Sequence, residues 1–313
     1  MPDAVCMDLK ALRYVVEAAG LKSISKAAAQ LHVAQPALSR QIRLLEEELG
    51  VPLLLRHRRG VEPTKEGLDF VRSAEILLRM AQQIRDDMGS RGTEPVGRIR
   101  LGFLPGPGDL IIGKLVADFL RQYPKVSFLL REALTADLTD ALLAGKLDLA
   151  IMIHDVKHQD LHRKPLFSED VWLAGVPSLW PFGKAKRLLP RQLHGLPLIH
   201  AAIVGNALSA LVEDHNLEIR TVIEGDTRTA ARAAARAGVG FMLVPASSVS
   251  VEIARNELAG APVEGMEVRR GLFWRADHPL SRATVEFIAK LEGAVSALLA
   301  AKPSPIKRIA SAD

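Results

Sequence analysis

One cysteine, Cys6, is all the chain contains, so no internal disulfide can form and a reducing compartment suits it. The N-terminal stretch holds no apolar run of about 7–15 residues behind a basic start; Asp3, Asp8, Lys10 and Arg13 interrupt it. Nowhere is there a run of about 20 apolar residues, so neither export nor membrane insertion is expected, and the cytoplasm is the expected location. Catalytic signatures are missing too: G-x-S-x-G and H-E-x-x-H do not occur. Gly106-x-Gly108 fails as a dinucleotide loop because Ile111 stands where the third glycine belongs, which leaves a tight turn. Internal repeats and low-complexity tracts are also absent. No enzyme, cofactor or metal is expected.

The 313 residues suggest about two domains of roughly 150 residues each. Hydrophobic residues at 48% and charged residues at 25% place the chain among globular proteins. Lys and Arg exceed Asp and Glu by 41 to 36, which permits contact with nucleic acid without requiring it. Met88 to Gly97 reads MGSRGTEPVG, a linker composition, and marks the domain boundary. Beyond it, short apolar runs (Arg98–Phe103, Val126–Glu132, Leu147–Ile153) alternate with helical patterns, as parallel β-strands with crossover helices would. A second set at Val171–Val176, Leu196–His200, Ile219–Glu224 and Phe241–Val244 makes the C-terminal domain α/β in two lobes.

Before the linker, Ile24, Ala27, Ala28 and Leu31 form one apolar helical stripe, and Leu38, Ile42, Leu45 and Leu49 form another. Only His32 to Gln35 separate them, with Pro36 suited to the first turn of the second helix. That is helix-turn-helix spacing, and the small residues Ala27 to Ala29 allow the close helix approach it needs. Opposite the leucines lie Gln35, Ser39, Arg40 and Arg43, side chains suited to base edges and phosphates. Leu53 to Thr64 then reads as a hairpin with a basic tip at Arg56, Arg58 and Arg59, a wing along the phosphates. Eight basic against four acidic residues between Lys22 and Lys65 concentrate the positive charge there. A plain helical hairpin with solvated arginines is the bland alternative, and the ordered combination weighs against it.

The stretch from Asp8 to Thr64, with SISKAAAQLHVAQPALSRQIRLLEEELGVPLLLR at its centre, resembles the DNA-binding domain of LysR-type transcriptional regulators. The resemblance implies DNA contacts at Ser25, Gln35, Pro36, Ser39, Arg40 and Arg56, to which the groove face and hairpin tip add Arg43 and Arg58. Ala34 departs from the family, which commonly places Ser or Thr there to cap the recognition helix, a loss of about 1 kcal/mol. Val96–Phe103, Leu142–Ile151, Val222–Glu224 and Ala237–Pro245 are similar to the family's effector domain. This implies a two-lobed fold like periplasmic binding proteins, with a small-molecule inducer, aromatic or carboxylate, between the lobes. Val244–Ser247 and Phe103–Leu104 are most similar to the subgroup controlling aromatic-compound catabolism. Gly106 stands where that subgroup often has a hydroxyl, and Thr135 matches its second one.

Phe70, Ala74, Leu77, Ala81, Ile84 and Met88 repeat at four and three residues, a heptad seam on a helix of about 36 Å; packing on the chain's own domain is the alternative, but a helix between two domains has little of its own chain beside it, so a partner helix is expected. The family pairs two subunits through this helix and typically assembles as a tetramer. Promoter duplex DNA, a second copy and RNA polymerase are therefore the expected macromolecular partners. The resulting division is a winged helix-turn-helix at 8–64, a linker helix at 65–88, a hinge at 89–96 and an effector domain at 97–300. Lobe I takes 97–168 and 272–300, and lobe II takes 169–271.

Clefts in open α/β folds lie at the carboxyl ends of strands, where helix N-termini present free N–H groups. This selects Gly106 and Pro107, Thr135, His200 and Ala202, and Asp226 and Thr227 as effector-site candidates. His154, His158 and His162 with Asp155 and Asp160 read as a solvated loop before a zinc site. Arg228, Arg232 and Arg236 at four-residue spacing read as an exposed helical face. Two rivals stay open on the sequence: an exported solute-binding protein sharing the C-terminal fold, and a metal-dependent enzyme built on the histidines.

Overall fold

Asp8 and Ser23 each start a helix by accepting a hydrogen bond from an amide that the first turn leaves orphaned. In the computed structural model, which describes residues 7–58, 60–89, 94–225, 228–301, 304 and 306–309, Asp8 receives Ala11 N at 2.7 Å and starts α1 (Leu9–Gly20). Ser23 receives Lys26 N at 3.3 Å and starts α2 (Ile24–Gln30). α3 (Gln35–Leu49) begins at Ala34 with no side-chain cap, has Pro36 in its first turn and ends at Gly50 in the left-handed region. The turn between α2 and α3 closes through Val33 N donating to Ala28 O at 3.0 Å and holds His32 at φ +52°. Buried Ala27, Ala28, Leu38, Ile42 and Leu45 meet Val15 and Ala18 of α1 in one core.

β1 (Leu54–His57) and β2 (Gly60–Pro63) form the antiparallel hairpin. Its root is tied to α3, because Glu46 Oε1 accepts from Leu53 N at 2.8 Å and Leu54 N at 3.0 Å. Gly60, at φ +140°, sits so close to Lys22 that a Cβ would fall 2.2 Å from its carbonyl oxygen, so only glycine fits. Thr64 Oγ1 accepts from Gly67 N at 2.8 Å at the start of α4 (Lys65–Gly89).

The chain divides into two units, Met1–Glu94 and Pro95–Asp313. The second is built on an eight-stranded mixed sheet of β3 (Gly97–Phe103), β4 (Val126–Glu132), β5 (Leu149–Ile153), β6 (Leu161–Gly175), β7 (Pro197–His200), β8 (Arg220–Glu224), β9 (Phe241–Pro245) and β10 (Ala259–Arg275). The order is β4-β3-β5-β10-β6-β9-β7-β8, with β4-β3-β5 parallel on one side and β9-β7-β8 parallel on the other. β6 and β10 run antiparallel through the middle and belong to both lobes. Helices α5 (Gly113–Gln122), α6 (Thr135–Leu143), α7 (Ala202–His215), α8 (Arg228–Arg236), α9 (Ser250–Ala254) and α10 (Arg282–Ala300) complete the unit. A single π-helical turn, Gly108–Ile112, leads into α5. Phe103, Phe119, Phe167 and Phe287 centre the core of one lobe, and Leu173, Leu198, Leu243 and Val263 that of the other.

The short parallel strands lie where the apolar runs put them, but of the long central pair only the end of β6, at Val171–Val176, was expected, and β10 was not legible. β10 contains Pro262 and Gly265 in a bulged stretch where its pairing with β6 shifts register, between Pro262 and Glu267, and irregularities of this kind tolerate both residues. Each strand also changes its buried surroundings halfway along, which removes any single alternation of polar and apolar residues.

Where the central strands pass between lobes, Arg270 and Glu169 are buried together at 0% exposure. Arg270 Nε donates to Glu169 Oε1 at 2.9 Å, and Nη2 lies 2.8 Å from the same oxygen. The other carboxylate oxygen accepts from Ser247 N at 2.9 Å, binding in the segment that follows β9. Removing one member strands its partner's charge, so Arg270→Met should lower unfolding free energy by about 3–5 kcal/mol. Adding Glu169→Leu to that variant should recover part of the loss in urea unfolding; a single variant costing under about 1 kcal/mol would contradict this.

Candidate DNA-binding face and effector cleft

Burial of Leu38, Ile42 and Leu45 fixes the rotation of α3 and leaves Gln35, Pro36, Arg40 and Arg43 exposed, with Ser39 half-buried. Ser25 is exposed on the first turn of α2. Arg56 projects from β1 as an exposed residue, Arg58 is exposed at the hairpin turn, and Arg59 lies outside the described residues. Among the described residues no carboxylate pairs with Arg40, Arg43, Arg56 or Arg58, which leaves four cations on one small domain available to phosphates. A depression between Lys22, His57 and Arg58 lies beside the wing. Lys22 and Glu46 were not singled out in the sequence as parts of this surface; Glu46 acts by holding wing to helix, and a carboxylate in a run of three glutamates gives no signal of that.

The expected seam on α4 divides in two. Ala74 is 1% exposed and Phe70 packs with Val71 on the domain's own core, so both are engaged within the chain. Leu77, Ile84 and Met88 are 42%, 61% and 74% exposed, and Ala81 is half-buried. Heptad spacing reports an apolar stripe, and a stripe is equally served by α1 of the same domain, which is why the first two positions read the same as the rest.

In the second unit, a small pocket of about 40 Å³ is lined by Pro105, Leu134, Ile199, His200, Ile203, Met242, Val244 and Ser248. Beyond Leu134 and Ile203, which face both spaces, a wider compartment of about 590 Å³ is lined by Thr135, Asp155, Glu267 and Arg269 among others. Of the expected residues, His200 therefore lines the first compartment and Thr135 the second. Gly106 and Pro107 do not line either: both are buried, and Gly106 at φ +111° turns beneath Ser247, whose Oγ would lie 2.4 Å from an added Cβ. Pro105 lines the cleft instead, one residue earlier, because the chain needs Gly106 for the turn. Ala202 is the first residue of α7, and Asp226 and Thr227 lie outside the described residues.

His200 ends β7 and is 7% exposed. Its Nε2 is 3.2 Å from Thr221 Oγ1, whereas Nδ1 is buried without a partner among the described residues. In the wider compartment Asp155 pairs with Arg269 at 3.1 Å. Burial, with Arg163 nearby, holds the pKa of neighbouring His154 below the ordinary histidine value. His158 lies in the loop, and the ring of His162 on β6 lies tilted against Trp274 at 5.6 Å between centroids. Among the described residues no group of three metal-ligating side chains converges.

Of the arginine stripe of α8, Arg236 is exposed as expected, Arg232 is half-buried against expectation, and the side chain of Arg228 lies outside those described. Arg232 donates to Ser248 O at 2.9 Å and pairs with buried Glu252 at 2.8 Å, and Arg236 pairs with Glu257. These contacts fasten α8 to the segment carrying Ser248, a cleft residue; the carboxylates that partner them lie at least 20 residues away in sequence, beyond the reach of a helical pattern.

Two family profiles match the chain: bacterial regulatory helix-turn-helix protein, lysR family, over residues 9–68, and LysR substrate binding domain over residues 92–295. The DNA-binding transcriptional dual regulator OxyR of Escherichia coli (strain K12) is 30% identical over 299 residues, 91% of this chain and 94% of that protein. Among solved structures, a cysteine-to-aspartate variant of full-length OxyR from Pseudomonas aeruginosa superposes with a TM-score of 0.72 at 24% identity, covering 97% of this chain and 99% of that one. Full-length CbnR complexed with its target DNA matches with a TM-score of 0.57 at 25% identity, covering 92% and 100%.

Proposed function

The chain belongs to the LysR family of DNA-binding transcriptional regulators, and from that premise we propose that it acts in the cytoplasm as a homo-oligomer whose α3 reads a promoter and whose cleft takes a small-molecule inducer. The family is not enzymatic, and among the described residues no helix is long and apolar enough to cross a membrane. In this reading 8–64 docks on DNA, 65–88 pairs subunits, 89–96 is the hinge, and lobe I (97–168, 272–300) and lobe II (169–271) hold the effector. RNA polymerase is the partner through which a promoter-bound regulator acts. A peroxide signal, named for several relatives, would need a thiolate if read through cysteine; the chain's single cysteine is Cys6, ahead of the DNA-binding helices.

The observation that carries the proposal is the geometry of α3: three buried leucine-type residues on one side and Gln35, Arg40 and Arg43 exposed on the other. Arginine pairs bidentately with guanine, and glutamine with adenine, in the major groove. Arg56 and Arg58 on the wing add contacts to phosphates, which hold register without reading sequence. The exposed half of α4, from Leu77 to Met88, supplies the apolar surface for a second copy.

Duplexes selected from a random library by the full chain provide the assay. Arg40→Ala should weaken binding to the selected site by about 1–3 kcal/mol while leaving non-specific affinity nearly unchanged. Arg56→Ala should instead weaken both and flatten the salt dependence by roughly one phosphate contact. A selected site bound equally well by the Arg40 variant would refute the placement of α3.

Ile84→Asp places a charge in the pairing surface and should convert the assembly to monomers in sedimentation velocity. Ala74→Asp, in the domain's own core, should unfold the domain instead. An assembly unchanged by Ile84→Asp would remove this half of α4 from the interface.

A further inference from the structure

α10 ends at Ala300, yet the chain beyond it returns to the sheet. Ser304 Oγ donates to Ile306 O at 2.7 Å and accepts from Ile306 N at 3.2 Å, a local turn that leads into Ile306. Ile306 is 2% exposed and packs in the core that holds Phe103, Phe119, Phe167 and Phe287. The next residue, Lys307, forms an antiparallel bridge with Ser168 of β6: Lys307 N donates to Ser168 O at 2.7 Å, and Ser168 N donates to Lys307 O at 2.9 Å. Lys307 Nζ then donates to Asp170 Oδ1 at 2.5 Å, while Arg187 approaches the other oxygen of that carboxylate at 3.5 Å. Leu188, beside Arg187, belongs to the core of Leu173, Leu198, Leu243 and Val263. One short segment thus reaches from the core of one lobe to the border of the other.

Its place on β6 gives it leverage. β10 pairs along one side of β6, and β9 takes the opposite side only from Val171 onward. Ser168 lies before that point, so among the described residues Lys307 is what pairs its N–H and C=O on the open edge. Ser168 is 2% exposed, and buried backbone groups left unpaired are costly. Lys307 therefore holds the backbone at Ser168 and the side chain at Asp170. Between them stands Glu169, whose carboxylate binds Arg270 Nε and the amide of Ser247. The half-exposed ion pair is screened by solvent and contributes little to folding. Burial of Ile306 supplies the hold, and Lys307 supplies its direction.

We propose that Ile306 and Lys307 form a clamp that positions Glu169 where β6 passes between the lobes and, through Glu169, fixes the segment at Ser247. Neither residue lines the small pocket or the wider compartment; both act through β6. A mere cover for the strand edge, which would only keep β6 from pairing with other chains, would leave Ser247 unaffected.

Amide hydrogen exchange of the full chain, resolved to single residues, separates these roles without an effector. Deleting residues 302–313 should speed exchange at Ser247 as well as at Ser168, each by about tenfold or more, the scale of returning one isoleucine side chain to water. Amides of β4 and β8, the two outermost strands, and of α3 should keep their rates. Ile306→Ser should reproduce the deletion. Lys307→Met, which keeps both backbone hydrogen bonds, should have a smaller effect at Ser247, and Lys307→Arg should restore the wild-type rate. Faster exchange at Ser168 alone would reduce the segment to an edge cover, and equal acceleration at β4, β8 and the crossing would make it part of the general core. Either result, or unchanged rates throughout, would overturn the clamp.

Discussion

Everything in the second unit depends on two strands having one crossing. β6 and β10 each serve both lobes, and the buried pair of Arg270 and Glu169 lies where they pass from one to the other. A buried ion pair adds little net stability over an apolar replacement, but breaking one is expensive, so it fixes geometry more than it strengthens the fold. Here it fixes three segments at once. Arg270 stands in register with Ile153 of β5 and Phe167 of β6, and Glu169 holds the amide of Ser247. Ser247 in turn touches the turn at Gly106, and Ser248 lines the cleft. The walls of the candidate effector site thus take their positions from a charge pair that does not itself line either compartment.

The first unit shows a different economy. Its helices are set by caps at Asp8 and Ser23 and by close packing of alanines, yet α3, the element facing DNA, starts at Ala34 without a cap and after His32 in left-handed conformation. Both features weaken the local backbone, and both are compensated from outside: Pro36 needs no N–H partner in the first turn, and Glu46 ties the far end of α3 to the wing. The helix and wing therefore hold a common orientation that neither would keep alone.

Sequence patterns reached the parts of this structure that depend on local chemistry. The helix-turn-helix was legible because its stripes, its turn and Pro36 lie within some 25 residues, and the basic tip marked the hairpin. The parallel strands were legible as apolar runs. What escaped was non-local. β10 hides behind Pro262 and Gly265, the partners of Arg232 and Arg236 lie in another helix and its loop, and the self-packing of Phe70 and Ala74 cannot be separated by periodicity from pairing with a second chain. In the cleft, composition pointed to the glycine turn, but the side chains that line it are Pro105 and Met242, set by strand register. His200 was within reach because it ends a strand; that its Nδ1 lacks a partner among the described residues is a property of the assembled lobe.

The central position of β10 also governs the order in which the unit can be completed. β5 leaves one of its edges bare until a strand made more than a hundred residues later arrives beside it, and β6 waits for the same partner. Pairings so distant along the chain are slow to form, and unpaired edges are templates for association with other chains. Until β10 pairs, β5 and β6 each keep one edge unpaired, and the same strand covers both. Neither lobe is an inheritable module: exchanging one between related proteins by a single splice would cut the strand that finishes the other.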